Sequence, residues 1–334
     1  MKLDHRPGTG RHAQHCAPPS TQRGMAVIVA LLAVAVTTVI VATLMQRQTT
    51  YVRAVQSQQV RAELQASVRG GLQSASRLLR EDGARTSQTH SDGAWAQPIV
   101  DTRLADGTRT ARPLPVFVGR IEDEQGKYNL RNLISNGALD TYAVDQLRRL
   151  CTMVDVAPEI ADRIAQRVLI SQPGSGNDGV SLAAEDADAQ RAAQQAQAPF
   201  PRSIDDLRSV QGVDEAVIAK LRPHLTLLPG VTLVNANTAS AEVLAVWVPG
   251  LGLEQARGLI AQRNGGQWFL NNADFVNRLN MQDLAPNSVR VAVHSDWFTL
   301  VGAARLNPTA VMPVRALFAR DGAAAHLVWS REGA

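Results

Sequence analysis

Residues 21 to 48 read TQRGMAVIVALLAVAVTTVIVATLMQRQ, with Arg23 and Gly24 standing in front of an uncharged apolar run from Met25 to Met45. At about 1.5 Å of rise per residue the run makes roughly 31 Å of helix, the hydrocarbon thickness of a bilayer. A secretory signal peptide has a shorter apolar core and a small-residue cut after it, and QRQTTYVRAVQSQQ, which follows here, contains no such cut. The surplus of Lys and Arg ahead of the run predicts a cytoplasmic N-terminus and a remainder on the far side.

The chain beyond the run sharpens this. Gln46 to Glu81 lacks proline, and Leu64, Val68, Leu72, Ala75 and Leu79 recur at three- and four-residue steps, so the helix continues out of the membrane with an apolar stripe. Gly70-Gly71 weakens it locally, and Asp82-Gly83 is the expected stop. Of the formal net charge of +4, the first 24 residues supply +3 through Lys2, Arg6, Arg11 and Arg23 against Asp4. Removing them removes most of the basicity that would suit a nucleic-acid partner. Two cysteines, Cys16 and Cys151, form no metal-binding spacing, and Cys151 reads as a packed core residue.

After Gly83 a polar, turn-rich stretch leads to VFVGRIEDEQGKYNLRNLI, where Val116, Val118 and Ile121 alternate with polar residues and the chain resumes at Tyr128, a pattern that predicts a hairpin turning at Glu124-Gln125-Gly126. Helices are expected over Leu139 to Met153, Pro158 to Ile170, Ile204 to Val210, Asp214 to Leu221, Ala239 to Trp247, Leu253 to Arg263 and Ala273 to Leu279. The low-complexity stretch 171–202 reads as a mobile loop. Strands return at Val289-Val291-Val293, Phe298 to Ala304, Met312 to Arg320 and His326 to Trp329, the last two flanking the Asp321-Gly322 turn. The order long helix, strands, helices, strands implies an α+β fold in which one sheet is split by an inserted helical domain.

A basic leader, Arg23-Gly24 and an apolar helix that doubles as a stem resemble the N-terminus of type IV prepilins and type II secretion pseudopilins. The resemblance implies cleavage after Gly24 by a prepilin peptidase and N-methylation of Met25. Most relatives carry a glutamate where this chain has Val29, and the exception is the K subunit, a minor pseudopilin placed at the filament tip. GRIEDEQGKYNLRNLI and VNANTASAEVL also resemble that K type. The resemblance then implies a leader at 1–24, a stem crossing the membrane over 25–45 and reaching the periplasm over 46–82, a pilin-like α/β domain in two parts at 83–137 and 286–334, and an inserted all-α domain of helix-hairpin-helix or SAM-like type at 138–285. Its implied partners are the minor pseudopilins I and J, other pseudopilins, the prepilin peptidase and the inner-membrane assembly platform. A type IV pilus minor pilin and a membrane-anchored DNA-uptake receptor are the rival readings.

Two hairpin-like helix pairs bear on the DNA reading. Their later helices open with Asp214-Glu215 and with Glu254, carboxylates that satisfy the positive end of a helix as phosphate would, so no nucleic acid is expected. No cofactor is implied except calcium, which some relatives of the K type hold; Asp178, Glu185, Asp186 and Asp188 are the candidate ligands here, in an order that matches no calcium-loop template. His294-Ser295-Asp296 is no catalytic triad, because adjacent residues of an extended chain face opposite ways. The chain is therefore expected not to be an enzyme.

Overall fold

The computed structural model describes residues 22–101, 114–172, 196–281, 284 and 289–333. Helix α1 runs Gln22–Arg85 without a break. The chain divides into two units after Arg61. Over its described residues the first is helix alone, with its apolar side chains exposed.

In the second unit, the α1 residues from Leu64 onward lie on a sheet. Leu64, Val68, Ala75 and Leu79 are buried as the stripe requires, whereas Leu72 is half-buried and Gly71 takes its place against the sheet. A Cβ on Gly71 would lie 2.4 Å from the Phe117 ring. The glycine expected to weaken the helix is therefore where the helix seats on the sheet. The helix also passes its expected stop at Asp82-Gly83. Asp82 is held by Arg320, and Gly83 lets α1 approach so closely that a Cβ there would meet Gly322 O at 2.2 Å.

The sheet is antiparallel throughout, in the order β1 (Ile99–Asp101), β2 (Val116–Asp123), β7 (Trp297–Arg305), β8 (Val311–Asp321), β9 (Ala324–Glu332). Its second and third strands are neighbours, Asp123 pairing with Phe298, and everything between them is an insertion. The expected hairpin from Val116 through Tyr128 does not form. Strand β2 already has neighbours on both sides, so after the Glu124–Lys127 turn the chain leaves the sheet, and β3 (Tyr128–Asn129) pairs in parallel with β6 (Leu225–Thr226). Tyr128 is fully buried in the helical core and donates to Ala143 O at 2.9 Å. A short pair, β4 (Ile134–Ser135) with β5 (Ala138–Leu139), precedes the first inserted helix.

Among its described residues that insertion has two apolar cores. One is formed by α2 (Thr141–Met153), α3 (Glu159–Leu169), the 3-10 turn Ile204–Ser209 and α4 (Glu215–Leu221) around Leu147, Ile164 and Leu207. The other is formed by α5 (Ala241–Trp247), α6 (Leu253–Asn264) and α7 (Asn272–Leu279) around Leu244, Phe269 and Phe275. Asp140, Asp214, Ser240 and Asn271 cap α2, α4, α5 and α7 by accepting from free N–H groups of the first turn. The strand expected at Val289-Val291-Val293 is reduced to one bridge, Asn235 with Ala292, because Val289 and Val291 are drawn into the second core.

Candidate functional site

In the first unit, Met25 to Met45 presents apolar side chains on every side of α1, and Val29 is 59% exposed. The hydroxyls inside the run are already satisfied: Thr37 donates to Ala33 O at 2.9 Å, Thr38 to Val34 O at 2.6 Å and Thr43 to Ile40 O at 2.8 Å. Such a surface is stable in hydrocarbon and costly in water. The helix is long and apolar enough to cross a membrane. Gly24 lies within α1, while residues 1–21, most of the expected leader, lie outside the described residues.

In the second unit, a buried polar hub joins the end of α1, the sheet and the insertion. Asp123, the last residue of β2, accepts from Ser295 Oγ at 2.6 Å, from Thr238 Oγ1, from Gln125 N at 2.8 Å and from Asn235 Nδ2 at 3.3 Å. Asn235 and Ser295 are wholly buried and bonded to each other at 2.7 Å. Beside them Arg320 donates to Asp82 at 2.8 Å, Thr89 Oγ1 at 2.6 Å and Ser295 O at 2.8 Å, with its guanidinium over the Phe298 ring. Burial pushes the Asp123 carboxyl upward, against the pull of its hydrogen bonds from Ser295 and Thr238. Burial likewise opposes the Lys127 ammonium, but Glu124 and Glu122 outweigh it and raise its pKa. Sequence periodicity missed this hub. Its one legible mark was NAN at 235–237, two asparagines among apolar neighbours.

The hub explains His294-Ser295-Asp296. Ser295 points inward to Asp123 while His294 and Asp296 are exposed on the other side, 3.9 Å apart. These three residues form no relay.

Of the cations near the second helix pair, Arg263 is 95% buried and spent on Ala236 O and Ala239 O at 2.9 and 2.8 Å, its pKa pulled down by burial to about 10. Arg257 pairs with Glu254 at 2.5 Å, and Asp214 occupies the start of α4 by accepting from Val217 N. Duplex DNA is therefore expected to bind the chain no more tightly than a weak polyanion binder, with a shallow salt slope in a titrated binding measurement. Submicromolar affinity at physiological salt would contradict this. The calcium candidates Asp178, Glu185, Asp186 and Asp188 lie outside the described residues. Among the described residues no group of three His, Cys, Asp or Glu side chains is placed to hold a metal.

The chain matches the family models described as type II secretion system (T2SS), protein K, over residues 126–230 and 234–294. It is 31% identical over 304 residues to the type II secretion system protein K of Pseudomonas aeruginosa, covering 85% of each chain, and 31% identical over 102 residues to that of Dickeya chrysanthemi, covering 28% of each. A solved structure of the GspK-GspI-GspJ complex from enterotoxigenic Escherichia coli shares the fold, with a TM-score of 0.58 at 22% identity over 84% of this chain and 99% of that one. A membrane-length apolar helix, a sheet split by helices and this sequence identity agree, and the chain belongs to the type II secretion system protein K family.

Proposed function

We propose that the chain is the minor pseudopilin that caps or initiates the pseudopilus of a type II secretion system, with I- and J-type minor pseudopilins as neighbours and no catalytic role or cofactor of its own. The reading is carried by the apolar surface of Met25 to Met45 in a helix that runs on, in the same element, to Arg85. The prepilin peptidase cuts after Gly24 in the inner membrane, Met25 is methylated, and the head stands in the periplasm.

Thiol counting together with mass spectrometry of the mature N-terminus tests the processing step. Burial pushes the Cys151 thiol up to about 12, so it stays protonated and unreactive at pH 8 in the folded chain. The other cysteine, Cys16, leaves with the leader. The mature native chain is expected to take up no alkylating reagent and to begin at methylated Met25. A full-length chain with one reactive thiol would refute the cleavage, and Gly24→Phe is expected to produce that species.

Val29 supports the tip position. A carboxylate there would need a neighbour's amine, and Val29→Glu places one in an apolar setting at a cost of roughly 2–4 kcal/mol if none is present. The chain is expected in few copies per filament, counted by labelling against the major pseudopilin in sheared filaments. Many copies along each filament would refute the assignment.

A further inference from the structure

In a sheet covered on one side, the uncovered side normally alternates to polar residues. Here it does not. The side chains of β2, β7 and β8 that point away from α1 are grouped by register. Val100, Val118, Ala303 and Pro313 form one row across four strands, Val116 and Val311 flank Arg305 in the row on one side, and Val301 lies between Arg120 and Arg315, with Arg331 beyond, in the row on the other. Higher on the same face, Thr299, Leu317 and Trp329 are roofed by Ile204, Leu225 and Leu227 of the insertion, with a small half-open cavity between them. Among the described residues the rows below have no such roof: Val100 is 60% and Val118 45% exposed.

The charge around this patch has one sign in surplus. Arg120 is tied to Glu122 at 2.7 Å and Arg315 to Asp205 at 3.4 Å. Arg305 and Arg331 are exposed and, among the described residues, make no ion pair. Adjacent strands stand about 4.8 Å apart, so the apolar row runs about 15 Å across four strands, with the rows that carry Arg305 and Arg331 on either side of it. An apolar strip bordered by cations is complementary to an apolar surface bordered by carboxylates.

We propose that the sheet face opposite α1 is a docking surface for a protein whose own apolar patch is bordered by Asp and Glu side chains. That this partner is met on the outside of the filament rests on the pseudopilin reading, in which stems pack on the α1 side; the charge argument does not depend on it.

The test places the photoreactive residue benzoylphenylalanine at position 118 of the full chain in secreting cells, with and without Arg305→Glu and Arg331→Glu together. Adducts are mapped by mass spectrometry. The expected result is a protein adduct among apolar residues flanked by carboxylates, at least tenfold weaker in the double variant. Export of the secreted proteins is expected to fall with it, while N-terminal processing and co-purification with other pseudopilins stay unchanged. An adduct to phospholipid, an adduct on a surface without carboxylates, or no adduct with undiminished export overturns the surface. An unprocessed wild-type chain that still gives the acidic-protein adduct overturns the filament reading and leaves the docking surface standing.

Discussion

Arg320→Ala is expected to destabilise the head by about 3–5 kcal/mol, the range for removing one partner of a buried ion pair. Arg320 is 6% exposed, and its guanidinium serves three acceptors on three segments: Asp82 at the end of α1, Thr89 in the loop after it and Ser295 just before β7. Its loss leaves the Asp82 carboxylate buried without its cation and removes the contact with the Phe298 ring. For a domain of this size the melting temperature should fall on the order of 10 °C, measured on the detergent-solubilised chain by tryptophan fluorescence. The pair Asp82→Leu with Arg320→Met removes both charges and is expected to lose less than Arg320→Ala alone. Equal or greater loss in the pair would show that the two do not act as an ion pair.

Gly71→Leu should cost about 3 kcal/mol, the upper end of ordinary overpacking, although leucine is a better helix former than glycine. Phe117 lies wholly buried in a cradle of three glycines. A Cβ on Gly71, Gly119 or Gly302 would meet its ring at 2.4, 2.9 and 2.6 Å respectively. Since Gly119 and Gly302 are cross-strand partners, the ring lies over a bare patch of backbone with α1 closing on top. Phe117→Ala alone costs about 3–5 kcal/mol through the cavity it leaves. Combining Gly71→Leu with Phe117→Ala moves volume from one side of the interface to the other, and the double variant is expected to be more stable than either single one. Strict additivity in urea denaturation would refute the cradle.

The sequence by itself determined the membrane-length run, the helix that continues from it, seven helical stretches to within a few residues and the split sheet. Each is written as a local period: an apolar run, three- and four-residue steps, alternation, or a capping residue such as Asp140, Asp214 or Ser240. Candidate residues were legible where chemistry is local too, as with the acidic starts of the helix pairs at Asp214 and Glu254. The tertiary structure alone decided which segments pair. Tyr128 left the expected hairpin because both edges of β2 were taken and a helical core could enclose its ring; Val289 and Val291 alternate like a strand, yet a second core claimed them. It also decided what polar and small residues were for. Asp123, Asn235, Ser295 and Arg320 are far apart in the chain, and a buried charge persists only where distant partners converge on it. Gly71 reads as a helix breaker until Phe117 is placed against it, because a glycine's use lies in the atoms that approach it and those are set by packing, not by sequence neighbours.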